Sequence, residues 1–334
     1  MPEPTVNTIE GTGRVAEVDE QPPSLLEDCP PEICNKIFTH ACEDDGTTGR
    51  SLSLVSRYIH DVSEELKLRS LAVCGMKQIL ACAAMLREKP EHLRRIVHLF
   101  ISAGAQVRPG QTEADIEEWL YSTETHHGSG CTAFYDILTM AAPTVKTFYL
   151  SSTCARPTVL LKIPMPELEE FTFFNEFHAT PATGPPSVDF PKLKRLRFAG
   201  CSNISRTIFT EIYARAPNVT HMFFQSDRTG DDLLEHLASA FGLQGVRHGH
   251  IFTPFPESFL EKIAEIRVEA PNKKKGFQAK LYERLIKQVT MLEPRIKVTT
   301  VAPSYSIPFC YSLQDWLRDS TREWNFPTPH RFID

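Results

Sequence analysis

The sequence predicts an α/β chain: a short helical segment, then a solenoid of parallel strands joined by helical or loop returns. Three observations predict it. Four segments share the pattern Pro-x-Ω-x-x-Ω-x-Ω, with Ω apolar, over residues 143–150, 166–173, 191–198 and 217–224; their prolines stand 23, 25 and 26 residues apart. A unit of one short strand plus a return cannot bury its apolar face alone, so copies stack into a parallel sheet. Before them the texture is different: from about residue 25 to 86 the apolar residues recur at helical spacing. Finally, Pro (25) outnumbers Gly (16), which cuts the chain into many short elements.

The elements follow in order. Residues 1–24 are acidic, poor in aromatics and without apolar periodicity, and are expected to be disordered. The first helix opens at Pro30-Pro31-Glu32, where proline suits the first turn, Glu32 favours the helix dipole and Asp28 is the expected cap. Ile33, Ile37 and Ala41 fall at i, i+4 and i+8, beside Cys34 and Phe38. After a turn over 43–49, a second helix is expected over 51–61, with Leu52, Val55 and Ile59 on one face and Leu54 and Tyr58 on the next. A third is expected over 63–73 and a fourth over 76–86, stopping before Pro90. Weaker copies of the strand pattern flank the four clear ones, with Ile96, Leu99 and Ile101 upstream and Ile263, Ile266 and Val268 downstream. Stretches at 112–121, 132–140, 205–216, 231–241 and 277–291 read as return helices, 175–189 as an exposed Pro-rich loop, and 313–324 as a helix capping the last strand. The expected division is a tail over 1–24, a helical unit over 25–70 and a repeat domain over 71–334.

Charge is uneven. The net charge of −6 sits in residues 1–28, where Glu3, Glu10, Glu17, Asp19, Glu20, Glu27 and Asp28 stand against Arg14; the rest of the chain balances. A neutral body argues against a nucleic-acid partner, which demands a basic face. The sequence holds no uncharged apolar run long enough for a membrane span. Met1-Pro2-Glu3 begins neither a basic nor an apolar leader, so no secretory signal is expected. Nine cysteines, irregularly spaced and without a Cys-x-x-Cys pair, then read as reduced thiols of a cytoplasmic or nuclear protein.

Catalytic constellations are missing from the sequence. Gly11-Thr12-Gly13 is too short for a dinucleotide loop, and neither a phosphate-binding Gly-x-x-x-x-Gly-Lys motif nor a Gly-x-Ser-x-Gly elbow occurs. His126, His127 and Cys131, read as a Gly/Ser loop, and His248-Gly249-His250 lack the further ligands and enclosure a metal needs. Lys273-Lys274-Lys275 reads as a solvated run. The carboxylates form no pair in apolar surroundings. The expectation is a protein with no catalytic residue, no metal and no cofactor.

The helical start is more informative. Leu26, then Cys29-Pro30-Pro31-Glu32-Ile33-x-x-x-Ile37-Phe38, then Leu52-Ser53-Leu54-Val55-Ser56-Arg57-Tyr58-Ile59, resembles the F-box. That family opens its first helix with Leu-Pro-x-Glu-Leu/Ile and carries a Val-Ser/Cys-Lys/Arg element further along. Pro30, Glu32 and Ile33 match the first motif and Leu54-Val55-Ser56-Arg57 the second. Cys29 replaces the leading Leu, and Tyr58 and Ile59 stand where a Trp is frequent. In the repeats, Leu193-x-x-Leu196-x-Phe198-x-x-Cys201-x-x-Ile204-Ser205 is similar to the cysteine-containing leucine-rich repeat; Thr153, Glu176 and Asp227 hold the Cys place in the other copies. The whole resembles the fungal-type F-box proteins with irregular leucine-rich repeats.

That resemblance implies a three-helix F-box over 25–70 and an irregular leucine-rich-repeat solenoid over 71–334. It implies a non-catalytic substrate receptor of a Skp–cullin–F-box ubiquitin ligase. Pro30, Ile33, Ile37, Leu54, Val55 and Tyr58 would face the Skp-type adaptor, which brings the cullin, while the solenoid would hold a protein substrate. Side chains alternate along a strand, so residues between the core positions face the other side of the sheet. Among these, Tyr149, Arg195, Arg197 and Phe223 are of the aromatic and arginine types that anchor interfaces, and are the expected substrate contacts. The alternative is a leucine-rich-repeat interaction scaffold outside ubiquitination. An enzyme would instead need a deep pocket of converging polar groups.

Overall fold

The computed structural model describes residues 26, 28–44, 46–102, 127–151, 163–174, 188–201, 208–226, 230–243, 254–271 and 277–301. The expected tail, the helices expected over 112–121 and 313–324 and most of the 175–189 loop lie outside them. The fold is α/β. Eight parallel strands form one sheet in sequential order: β1 (Ser70–Cys74), β2 (His98–Ser102), β3 (Thr147–Ser151), β4 (Glu170–Phe174), β5 (Arg195–Cys201), β6 (His221–Ser226), β7 (Glu265–Pro271) and β8 (Ile296–Val301). Helices α1 (Pro31–Ala41), α2 (Thr47–Leu52) and α3 (Arg57–Ser63) precede the sheet. Helices α4 (Met76–Glu88), α5 (His127–Ala141), α6 (Ile208–Arg215), α7 (Gly230–Ala240), α8 (Glu257–Leu260) and α9 (Phe277–Leu292) lie between strands.

The repeat pattern becomes three rows, buried but for the half-buried Val298. Leu71, Leu99, Phe148, Phe171, Leu196, Met222, Ile266 and Ile296 stand in register across all eight strands. Two residues on, Val73, Ile101, Leu150, Phe173, Phe198, Phe224, Val268 and Val298 form a second row. Three residues before the first row, Leu68, Ile96, Val145, Leu168, Leu193, Val219 and Ile263 form a third. The return helices close over the same face with Ile79 and Ala83 of α4, Ile137 of α5, Phe209 of α6, Leu237 of α7 and Val289 of α9. Rings continue the stacking: Phe148 lies parallel to Phe171 at 5.2 Å, and Phe198 to Phe224 at 5.4 Å.

A backbone chain runs beside these rows. The N–H groups of Val97, Lys146, Glu169, Lys194, Thr220 and Ala264 donate, at 2.8–2.9 Å, to the carbonyls of Arg69, Val97, Lys146, Glu169, Lys194 and Thr220. The residue after each donor bonds the same carbonyl, so both lone pairs are used at every step.

The structure corrects the helical start. Residues 63–73 are not a helix: α3 ends at Ser63, a short turn spans Glu64–Leu66, and β1 follows. Leu68-x-x-Leu71-x-Val73 carries the strand spacing, and its i, i+3 pair imitates a helix. The expected helix over 51–61 is two helices. Ser56 is extended, and its hydroxyl accepts from the Ile59 N–H at 3.3 Å, so α3 starts afresh at Arg57. Pro30, not Asp28, is the N-cap of α1. Asp44 accepts from the N–H groups of Gly46 and Thr48 just ahead of and within α2, whose first turn takes up part of the expected 43–49 turn. Strand β8 went unread because Glu293 stands at its third-row place.

The helical unit is fastened to the first edge of the sheet. The Ser70 hydroxyl donates to the Cys42 carbonyl at 2.6 Å, Arg69 faces Glu43 at 3.6 Å, and Lys89 meets Glu64 at 2.8 Å. Gly46 has φ of 88°, and a Cβ there would come 2.6 Å from the Ser70 carbonyl; at Gly49 a Cβ would come 2.9 Å from the Lys67 carbonyl. Among the described residues no helix is long and apolar enough to cross a membrane.

Gly46→Ala meets both a left-handed backbone and a backbone clash, so we expect it to destabilise the chain by about 2–4 kcal/mol. Chemical denaturation checks this; a Gly46→Ala chain as stable as the parent would mean that the junction does not hold the two parts as described.

Candidate functional site

The site begins with a small core inside the helical unit. Cys34, Phe38 and Ile59 are buried together, with Cys29, Leu52, Tyr58, Val62 and Leu66 packed around them. Cys34 and Phe38 are i, i+4 on α1, so Ile33 and Ile37 lie on the neighbouring stripe, outside that core. They are 45% and 50% exposed. The break between α2 and α3 turns Leu54 and Val55 outward, 86% and 65% exposed, and Leu26 and Pro30 are exposed as well. Half of the exposed large apolar side chains among the described residues thus fall within 26–55, a concentration typical of contact surfaces.

Five of the six residues expected at an adaptor surface are exposed: Pro30, Ile33, Ile37, Leu54 and Val55. Tyr58 is the correction. It is half-buried against the small core, and its hydroxyl donates to the Cys29 carbonyl. Because α3 starts at Arg57, Tyr58 no longer shares a stripe with Leu54. The Cys34 thiol lies 3.7 Å from the Leu26 carbonyl and 3.8 Å from that of Cys29. Tyr58 and Cys34 therefore hold the segment that presents Leu26 and Pro30.

The sheet face opposite the return helices carries the row Ala72, Phe100, Tyr149, Thr172, Arg197, Phe223, Arg267 and Lys297. Tyr149 and Phe223 do face this side, but both are buried, so neither is an exposed substrate contact. The Tyr149 ring stacks on Phe100 at 4.3 Å in a second small core with Ala199. Phe223 lies beneath Arg197, whose guanidinium carbon is 4.8 Å from the ring centre. Arg195 is more open, and it grips Glu170 one strand away at 2.6 and 2.9 Å. Further along, Arg267 and Lys297 both bind Glu265, at 2.8 and 2.6 Å; the Arg267 hydrogen bond chiefly, with Lys297 adding, holds the Glu265 carboxyl down to about 2. Burial pushes the Glu269 carboxyl up, against the pull of Arg197 and Arg267.

Among the described residues no cluster of His, Cys, Asp or Glu could hold a metal ion, and Cys29, Cys34, Cys42 and Cys82 are free thiols. His127 and Cys131 open helix α5 rather than sit in a loop; His126, His248, His250 and residues 273–275 lie outside the described residues. No family model matches the chain, and no curated protein matches it either.

One titrating group sits where the helical unit meets the sheet. His98 on β2 bonds the Thr147 hydroxyl at 2.7 Å. Burial, with Arg69 and Lys146 adding and Glu43 opposing, pulls its imidazole down from 6.5 to about 4. The folded chain keeps His98 neutral while the unfolded chain binds the proton. Its contribution is therefore complete above pH 6.5 and lost as pH falls from 6.5 to about 4. We expect His98→Gln to flatten the acid loss of stability in that window, by at most about 3 kcal/mol. Denaturation curves across the window test this; an unchanged slope would exclude His98 as its source.

Proposed function

We propose that the chain is the non-catalytic substrate receptor of a Skp–cullin–F-box ubiquitin ligase, acting in the cytoplasm or nucleus. In this reading α1–α3 is an F-box that docks on the Skp-type adaptor, and the parallel array is an irregular leucine-rich-repeat solenoid that holds a protein substrate. One observation carries it: of the apolar residues in the F-box-like motifs, Ile33, Ile37, Leu54 and Val55 are exposed. A helical unit that served only as a cap would spend its apolar stripes on its own core and on the sheet. Here Cys34, Phe38 and Ile59 fill the core, and Ile33, Ile37, Leu54 and Val55 remain outside it.

Such a receptor makes and breaks no bonds. It supplies proximity, converting a dilute encounter between substrate and ligase into a held one. Tyr149 and Phe223 drop out of the proposed substrate surface because they are buried. Arg195 and Arg197, both half-buried, remain of the original four, Arg195 paired with Glu170 and Arg197 lying over Phe223.

Ile33→Ala combined with Val55→Ala removes two exposed anchors. We expect adaptor affinity to fall at least about thirtyfold, the loss of some 2 kcal/mol typical of clustered anchors. The melting temperature should hold, because neither side chain is part of a core. Copurification with the adaptor and cullin reads this out. Undiminished adaptor capture by the double variant would remove the proposal, and adaptor capture without cullin would favour a scaffold outside ubiquitination.

A further inference from the structure

Helix α9 divides its residues sharply. Tyr282 and Val289 are buried, and Leu285 and Ile286 pack partly against the main core. On the opposite side Lys280, Arg284, Lys287 and Met291 follow one another at i, i+4, i+7 and i+11, all exposed. The three cations join no ion pair among the described residues, and Glu283 is the exposed acid beside them. This differs from the sheet, where cations are answered one strand away: Lys146 by Glu169, Lys192 by Glu167, Arg195 by Glu170, Lys297 by Glu265. The stripe ends in exposed apolar surface, with Met291 at 72% and Leu292 at 49%.

We propose that this face of α9 docks an acidic segment of a protein partner, with an apolar side chain of that segment on Met291 and Leu292. Charge complementarity selects an acidic ligand, and the rest of the helix selects its class. Three cations over about 10 Å of helix are fewer than the six to ten phosphate contacts of a nucleic-acid binder. A membrane-surface helix lays a broad apolar face into lipid, whereas the apolar face of α9 is committed to the core. Carboxylates at helical spacing, followed by one apolar residue, match both the charges and the end of the stripe. The inference does not depend on adaptor docking, which uses the opposite end of the chain.

The test uses the full chain and a fluorescent Glu-rich peptide carrying one Leu. We expect binding that weakens with added salt, and on the order of a tenfold loss in Lys280→Glu/Arg284→Glu/Lys287→Glu. Met291→Ala should cause a smaller loss that salt does not alter. The charge-neutral Lys280→Gln/Arg284→Gln/Lys287→Gln chain, with an unchanged melting temperature, should also lose binding, which separates a lost contact from a lost fold. The Ile33→Ala/Val55→Ala chain should bind the peptide normally, so failure of the adaptor reading and failure of this one are told apart. Salt-insensitive or absent peptide binding would overturn the proposal. Tighter binding of a single-stranded DNA oligonucleotide or of phosphatidylserine vesicles would overturn it too. So would a tenfold gain in peptide affinity on deleting residues 1–24, which would assign the stripe to the chain's own acidic tail.

Discussion

Everything in this fold depends on parallel strands stacking in register. One strand presents two or three apolar side chains to one face, and no strand of five residues can shield them. Burial of a Phe or Leu stabilises by about 1.5–3 kcal/mol only where it is complete. Completion comes from the strands on either side and from the return helix, as Phe171 shows, lying between Phe148 and Leu196 in its row. Register is therefore fixed tightly: a slip of one residue would turn Phe171 and Phe173 to the opposite face and bring Glu170 and Thr172 into the core. The twice-used carbonyls beside the rows fix the same register through the backbone.

That constraint decides what remains for binding. Side chains between the apolar rows are forced to the other face, at the ~4.8 Å spacing of neighbouring strands. At this spacing residues of one row meet their neighbours before they meet solvent or a partner. Tyr149 finds Phe100, Arg197 finds Phe223, and Arg195 finds Glu170. Among the described residues the face fills with pairs, while a cluster of exposed apolar side chains stands on the helical unit before β1 and a cationic stripe on α9 ahead of β8.

How far this could be read from the sequence follows from the same physics. Six of the seven strands whose Ω-x-x-Ω-x-Ω pattern is intact were legible, with their pairing direction, because burial on one face demands that spacing. β1 was not, although Leu68, Leu71 and Val73 obey the pattern, since Leu68 and Leu71 also fit a helix and follow three real helices. β8 was not, because Glu293 removes the third apolar position. Ile33, Ile37, Leu54 and Val55 were legible as a surface through a motif, not through periodicity, which alone would have placed any of them in a core. Tyr149 and Phe223 were misjudged for a general reason: alternation tells which face a side chain takes, and it cannot tell what lies on that face. Tyr58 was misjudged because its stripe depended on a helix that Ser56 interrupts.

The junction gives these parts a common geometry. A flexible link between the helical unit and the sheet would let the exposed apolar patch wander relative to the array. Gly46 and Gly49 instead let the backbone of α2 approach Ser70 and Lys67 more closely than any side chain would allow, and Ser70 bonds Cys42 across the join. Within the helical unit, Tyr58 and Cys34 tie down the segment carrying Leu26 and Pro30. For the receptor proposed above, this bears on how two binding faces cooperate. Two binding faces on one chain act as a unit only when their separation is set, because the effective concentration of one partner beside the other falls steeply as that separation becomes free to vary. Close-packed glycine contacts set it without adding bulk, so the orientation of the helical patch to the array follows from the first strand onward.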